Sequence, residues 1–144
     1  MSRIGGRIND HDRVNTRVSQ ASVGWHLAHS LITLETIADL LVSADPEKPH
    51  GRINLTGRVI LTLGWIPRGR GKAPKVARPK EETTTSDLEE RLARVRQKAD
   101  QLDALGKDQY FRHPYFGDLN LTWALKFMKV HTRHHLKIVD DILK

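Results

Sequence analysis

Cysteine is missing from all 144 residues, which excludes disulfides, thiolate-bound zinc and iron–sulfur clusters. A metal site in this chain would have to use His, Asp, Glu or backbone oxygen. No apolar run reaches transmembrane length, and the N-terminus lacks the basic-then-apolar layout of a signal peptide. A soluble, cytoplasmic protein with no membrane partner is therefore expected. There is no Gly-rich phosphate motif, no GxSxG elbow, no HExxH and no repeat of solenoid period. The length suits one domain with a real core, spanning 1–144, with residues 1–18 poorly patterned.

Acidic residues are also missing from 66–80 (IPRGRGKAPKVARPK), where Arg68, Arg70, Lys72, Lys75, Arg78 and Lys80 fall together. The whole chain carries a formal net charge of +7, a balance that favours anionic partners. Three prolines and two glycines in this run forbid a regular element. It could grip phosphates, but no aromatic is interleaved to stack a base. A solvated loop draped over the domain is the expectation, with nucleic-acid binding third among the functional readings.

Residues 19–43 read as a helix, capped by Ser19 or Ser22 and stopped at Ala44-Asp45-Pro46. Leu27, Leu31, Leu34, Ala38 and Leu41 make one apolar stripe, and Trp25, Ile32 and Leu40 a second. The polar sector is narrow, Glu35 and Asp39 with their flank, so the helix should be central. In 53–65 the residues Val59, Ile60, Leu61 and Leu63 would also suit a strand, but nothing else offers a partner strand, and a helix is expected. Residues 86–105 read as a helix with a Ser86–Glu89 capping box, a seam of Leu88, Leu92, Val95, Ala99 and Leu102, an ordinary exposed charged face, and Gly106 as C-cap. Ile4, Ile8 and Val14 could form a short N-terminal helix, which Gly5-Gly6 weakens, so a frayed or irregular start is expected. Residues 107–120 read as a loop. Its rings, Tyr110, Phe111, Tyr115 and Phe116, surround His113-Pro114 and Gly117, and either plug the domain's end or line a pocket mouth. Long amphipathic helices with short connections give an all-α bundle.

The last helix, 121–143, carries the strongest chemical signal. At about 3.6 residues per turn, one stripe runs Ala124, Met128, His131, His135, Ile138, Ile142. Two histidines one turn apart on an apolar stripe need something to satisfy them, and a divalent metal would. The plainer alternative is two half-buried histidines bonded to water or carboxylates. Asp118 or Asn120 would cap this helix, and Asp140 and Asp141 read as surface residues rather than a general base. In the 19–43 helix His26 and His29 both lie in the broad apolar sector. Angle alone does not choose between them, although His26 is nearer the sector's middle.

These residues resemble the DinB/YfiT-like superfamily of metal-binding four-helix bundles. The likeness is closest to a branch with an HPxFGxL loop, here His113 to Leu119, and an IPRGxxxAPK segment, here Ile66 to Lys75. It runs from about residue 19 to 144, and the family's first helix is short or degraded here. The expected fold is a DinB-like four-helix bundle with an additional short helix and a long basic loop over 67–80. The resemblance implies three histidine ligands. One lies in Ser22-Val23-Gly24-Trp25-His26-Leu27-Ala28-His29, where it selects His29, and the others are His131 and His135. The string WHLAHS is also similar to the DinB-like domain of ergothioneine-forming sulfoxide synthases, in which such histidines hold non-haem iron.

Three histidines leave a divalent metal (zinc, nickel or iron) with an open position. The resemblance thus implies a metal-dependent thiol transferase or hydrolase that activates a small thiol, with the electrophile delivered from the aromatic loop. His26, His113 and His134 are candidates for supporting or proton-handling roles. A basic rim could attract a carboxylated thiol. The alternative is a non-catalytic, metal-stabilised stress-response or binding module. A homodimer is implied by the same resemblance.

Overall fold

The computed structural model describes every residue except Pro49, Arg70, Lys72, Lys80 and Glu81. Three cations of the basic run, Arg70, Lys72 and Lys80, thus lie outside the described residues. The fold is mostly helical: α1 (Ser2–Gly5), α2 (Val23–Ser43), α3 (Leu55–Leu63), α4 (Thr85–Asp103) and α5 (Leu121–Ile142), with strands β1 (Tyr110–His113) and β2 (Gly117–Asn120) before α5. No helix among the described residues is long and apolar enough to cross a membrane.

Helix α2 is the hub, buried along Leu27, Leu31, Leu34, Ala38 and Leu41 as its first stripe requires. The second stripe does not hold. Trp25 and Ile32 are half-buried, Leu40 is exposed, and Ile37 takes the inward place. The narrow polar sector of α2 faces α4, with Glu35 half-buried and Asp39 still exposed at the rim. Glu35 accepts from Arg91 and from Arg94 (2.9 Å), and Asp39 from Lys98. The charges of α4 are therefore not simply an exposed face. The Asp39–Lys98 pair meets α2 at the level where the seam called for Ala99, and Ala99 is turned to solvent.

These pairings rise together in sequence, so α2 and α4 run the same way. The core falls into two clusters. One joins Leu27 and Leu31 to Leu136, Val139 and Ile142, and the other joins Ile37 and Leu41 to Ala124, Phe127 and Val130. The order on α5 is reversed, so α5 runs antiparallel to α2. Its residues 131–135 fall between the two clusters.

Several termini differ from the sequence reading. The capping box of α4 is Thr84–Asp87, not Ser86–Glu89. Both registers offer a hydroxyl and an acid three residues on, and starting at Thr84 sets Leu88 a full turn inside the helix, where it is wholly buried. Ala104, in a right-handed conformation (φ −88°), caps the other end, so the glycine at 106 is not needed for it. Of the alternatives left open, Ser22 caps α2 and Asn120 caps α5. The N-terminus is not frayed. Ile4 and Ile8 join the first core cluster, and Arg3 and Arg7 both reach Asp140 on α5 (2.6 and 3.1 Å). Val14 is exposed and contributes nothing to this packing.

Residues 107–120 are a hairpin rather than a loop, with Tyr110 paired to Asn120 and His113 to Gly117. Phe111 and Phe116 are buried in the second cluster, so these two rings plug the domain's end, while Tyr115 is exposed. A partner strand for 53–65, not expected from the sequence, is supplied for a single residue, where Ile53 bridges Gly117. Beyond it the segment turns helical as expected, with Asn54 as N-cap. Asn54 N–H donates to the Phe116 carbonyl (2.8 Å), and Gly51 N–H to the buried Asp118 carboxylate (2.6 Å).

Gly57 marks the closest approach of α3 to the hairpin, since a Cβ there would lie 2.8 Å from Phe116 Cβ and 2.9 Å from Ile53 Cγ1. Gly57→Ala should therefore destabilise by about 1–3 kcal/mol through overpacking, against the roughly 1 kcal/mol that alanine gains by helix propensity. Gly106→Ala, with open space around it, should be near neutral. Urea unfolding of both variants checks this, and a stabilised Gly57→Ala would refute the packing.

Candidate metal centre

The first turns of α2 are fixed from outside. Ser22 accepts from Trp25 N–H (3.1 Å), and Gly24 N–H donates to the His11 carbonyl (2.8 Å). A Cβ on Gly24 would lie 2.9 Å from that oxygen, so only glycine lets the preceding turn press this close. The result is that His26 and His29, both buried, face α5 at a set depth.

Across from them, His131 and His135 project from adjacent turns of α5. One ring nitrogen from each of His29, His131 and His135 lies within 4.8 Å of the other two. His29 Nε2 and His131 Nε2 are 3.2 Å apart. The ring centroids of the three are 5.0, 4.7 and 4.6 Å apart in pairs. Nitrogens sharing one ion at ordinary zinc–imidazole lengths in a tetrahedron would be about 3.3 Å apart.

Hydrogen bonds behind the rings orient them, and for His29 set the tautomer. His29 Nδ1 donates to the Ala77 carbonyl (2.6 Å), which can only accept, so Nε2 keeps its lone pair. His135 Nδ1 lies 3.0 Å from His26 Nδ1, and His26 Nε2 lies 2.9 Å from Ser19 Oγ. That chain engages His135 Nδ1, and in the tautomer where His135 donates to His26 and His26 to Ser19 it leaves His135 Nε2 for the cluster. Orienting partners of this kind are what metal-ligating histidines use. His131 Nδ1 is buried with no partner among the described residues. The donor set is wholly imidazole, for no carboxylate joins the group among those residues.

Charge state agrees with geometry. Burial pushes His26 down to about 4 and His131 down to about 3, with neighbouring imidazoles adding to it. Burial lowers His29 as well, opposed only by the Ala77 carbonyl, and it lowers His135 further, with His131 and His29 contributing. At neutral pH the cluster is uncharged, the form in which imidazole binds metals. These observations fit a divalent cation held by three nitrogens.

The other histidines have separate places. His26 stands directly behind His135. His134 is edge-on to His135 at 5.1 Å, and the Ile66 carbonyl accepts from it. His113 belongs to the hairpin. Its Nδ1 accepts from Tyr115 N–H (3.1 Å) and Phe116 N–H (3.2 Å), its ring stacks on Phe116, and Phe127 separates it from His131. Asp140 and Asp141 are tied to arginines outside the cluster, as surface residues would be. The residues that sequence reasoning missed are Ala77, Ser19 in its bond to His26, and Trp25, whose indole stacks on His29 at 5.1 Å. Ala77 had no signal, because its contribution is a main-chain oxygen.

A family model described as the DinB superfamily matches residues 10–139, beginning earlier than the expected 19. No curated protein and no solved structure matches the chain.

The lowered histidines make stability depend on pH. Their folded values lie below the ordinary value of 6.5, so below it the unfolded chain takes up protons that the folded chain does not. Stability is full above that value and falls as pH drops toward the folded values. The metal-free protein should lose several degrees of melting temperature between pH 7 and 5, a window above most carboxylate titration. A flat profile would mean that the imidazoles are not desolvated.

Proposed function

This chain belongs to the DinB superfamily, and from that premise we propose that it is a metal-dependent enzyme of the thiol-transferase or hydrolase type, with His29, His131 and His135 as ligands. The observation that carries this is the meeting of three neutral imidazoles whose outer nitrogens are, for His29 and His135, already occupied. A divalent ion held there with an open position would lower the pKa of a thiol or water brought to it. Zinc, nickel and iron all suit an imidazole set. Val23–Ser43, Leu55–Leu63, Thr85–Asp103 and Leu121–Ile142 serve as the four bundle helices, with Ser2–Gly5 as the additional short one.

The chain's own residues hold and orient. Ala77 fixes the ring of His29, and the Ser19–His26 pair fixes that of His135, leaving a proton path from the cluster to a hydroxyl. His134 stands beside the cluster on the Ile66 side. The basic segment acts as a wall, since Arg68 donates to Asp141 (2.7 Å) and Arg78 to the Ala73 carbonyl (2.8 Å). Of the described cations in this segment, Arg68 is paired to an acid on α5, which weighs against a nucleic-acid arm. A second reading, a metal-stabilised binding or stress-response module, is favoured by the lack of a carboxylate beside the three histidines among the described residues.

Elemental analysis of purified protein should find about one divalent ion per chain. His29→Ala, His131→Ala or His135→Ala should lower metal affinity by orders of magnitude, and His26→Ala should lower it about 10–100-fold. Metal-free wild type refutes the site. If chelation lowers the melting temperature while no thiol is consumed from a panel of small thiols and electrophiles, the second reading replaces the first.

A cytoplasmic location is part of the proposal, because thiol chemistry suits a reducing compartment. So is a homodimer, supported by Leu55, Val59 and Leu63, exposed at four-residue spacing on α3. Leu55→Asp/Leu63→Asp should shift the mass seen in light scattering from dimer to monomer, and a monomeric wild type would end this part.

A further inference from the structure

Outside the histidine cluster a cleft of about 320 Å³ runs between the corner after α3 and the outer face of α5. Its apolar side is Trp65, Ile66 and Val130, and its polar side is Arg68, Arg133, Lys137 and Asp141. The size suits a small molecule.

The charges in this cleft do not balance. Asp141 already accepts from Arg68 (2.7 Å) and from Lys144 (2.6 Å). Arg133 and Lys137 have no ion-pair partner among the described residues, yet both line the cleft. They stand four apart on α5, where two like charges share one face and oppose helix formation. An anion between them would offset that repulsion. Asp141 also indicates the fitting chemistry, because Arg68 holds a carboxylate here, whereas a phosphate would concentrate up to two charges on one group beside Asp141. His134 closes the inner wall, and its ring is edge-on to His135. A ligand in the cleft is thus one imidazole away from the three-histidine cluster.

We propose that this cleft binds the carboxylate end of a small molecule. The assignment stands on the cleft itself and not on the thiol reading above.

Calorimetric titration of metal-free protein with succinate, and separately with inorganic phosphate, tests the carboxylate end. Succinate should bind, and Arg133→Gln/Lys137→Gln should weaken it about tenfold or more, as loss of charge-assisted bonds requires. Lys129→Gln, which removes an exposed cation of α5 that does not line the cleft, should leave succinate affinity unchanged, and the double variant should keep the wild-type melting curve and zinc affinity. No succinate binding, an equal loss in Lys129→Gln, or tighter binding of phosphate would each overturn the assignment. If no zinc binds while the succinate results hold, the metal reading fails and the carboxylate site stands.

Discussion

Four imidazoles packed at the crossing of α2 and α5 are the demand that the rest of the molecule answers. A buried ring nitrogen without a partner costs a good part of its hydration, and this layer holds eight nitrogens between two apolar clusters. Protonation cannot relieve it, because burial makes the charged form dearer still. The outward nitrogens must therefore be met by fixed groups and the inward ones by one another or by a cation. Ser19 meets His26, Ala77 meets His29, and His26 meets His135. Of these four, His131 is left with a buried nitrogen that has no partner among the described residues.

Topology explains where those groups come from. Because α2 and α4 run the same way, the chain must return along the domain between residues 44 and 84. That return is long, and it crosses the open side of the α2–α5 pair. Along it lie α3, the Ile66 carbonyl near His134, Arg68 on Asp141, and the Ala77 carbonyl on His29. A segment that reads as a basic linker is thus part of the site's wall, and the buried Ala77 anchors it. The ladder from Gly51 to Gly57 onto the hairpin fixes the near end of this return.

What could be read from residues alone follows from periodicity. The α5 stripe exposed the His131–His135 pair because four-residue spacing on a long helix leaves no ambiguity of face. His26 and His29 could not be separated by angle, since a helix apolar over most of its girth has no single inward direction. In the structure both point to α5, one into the cluster and one behind it. The resemblance named His29, and its ring lies beside the pair. Ala77 was invisible because a carbonyl leaves no mark in a sequence. The hairpin was hidden by four-residue strands, too short for alternation to show. The N-terminal isoleucines looked weak beside Gly5-Gly6, yet it is tertiary burial against Leu88 and Leu92 that holds them, not helix propensity.

Charge and donor type together bias what the site would accept. Three neutral imidazoles bring no negative charge, so a divalent cation there keeps both of its charges. Arg68 and Lys137 stand close enough to bear on His134, and the chain as a whole is at +7. Cations nearby raise the cost of adding another, so binding must come from the local geometry of the nitrogens and not from the protein's field. The same arrangement then favours an anion as the remaining partner over a neutral molecule, since an anion relieves the ion and its basic neighbours at once. A carboxylate ligand built into the cluster would have cancelled that preference. The all-histidine set keeps it, and Arg133 and Lys137, without an ion-pair partner among the described residues, extend it outward along α5.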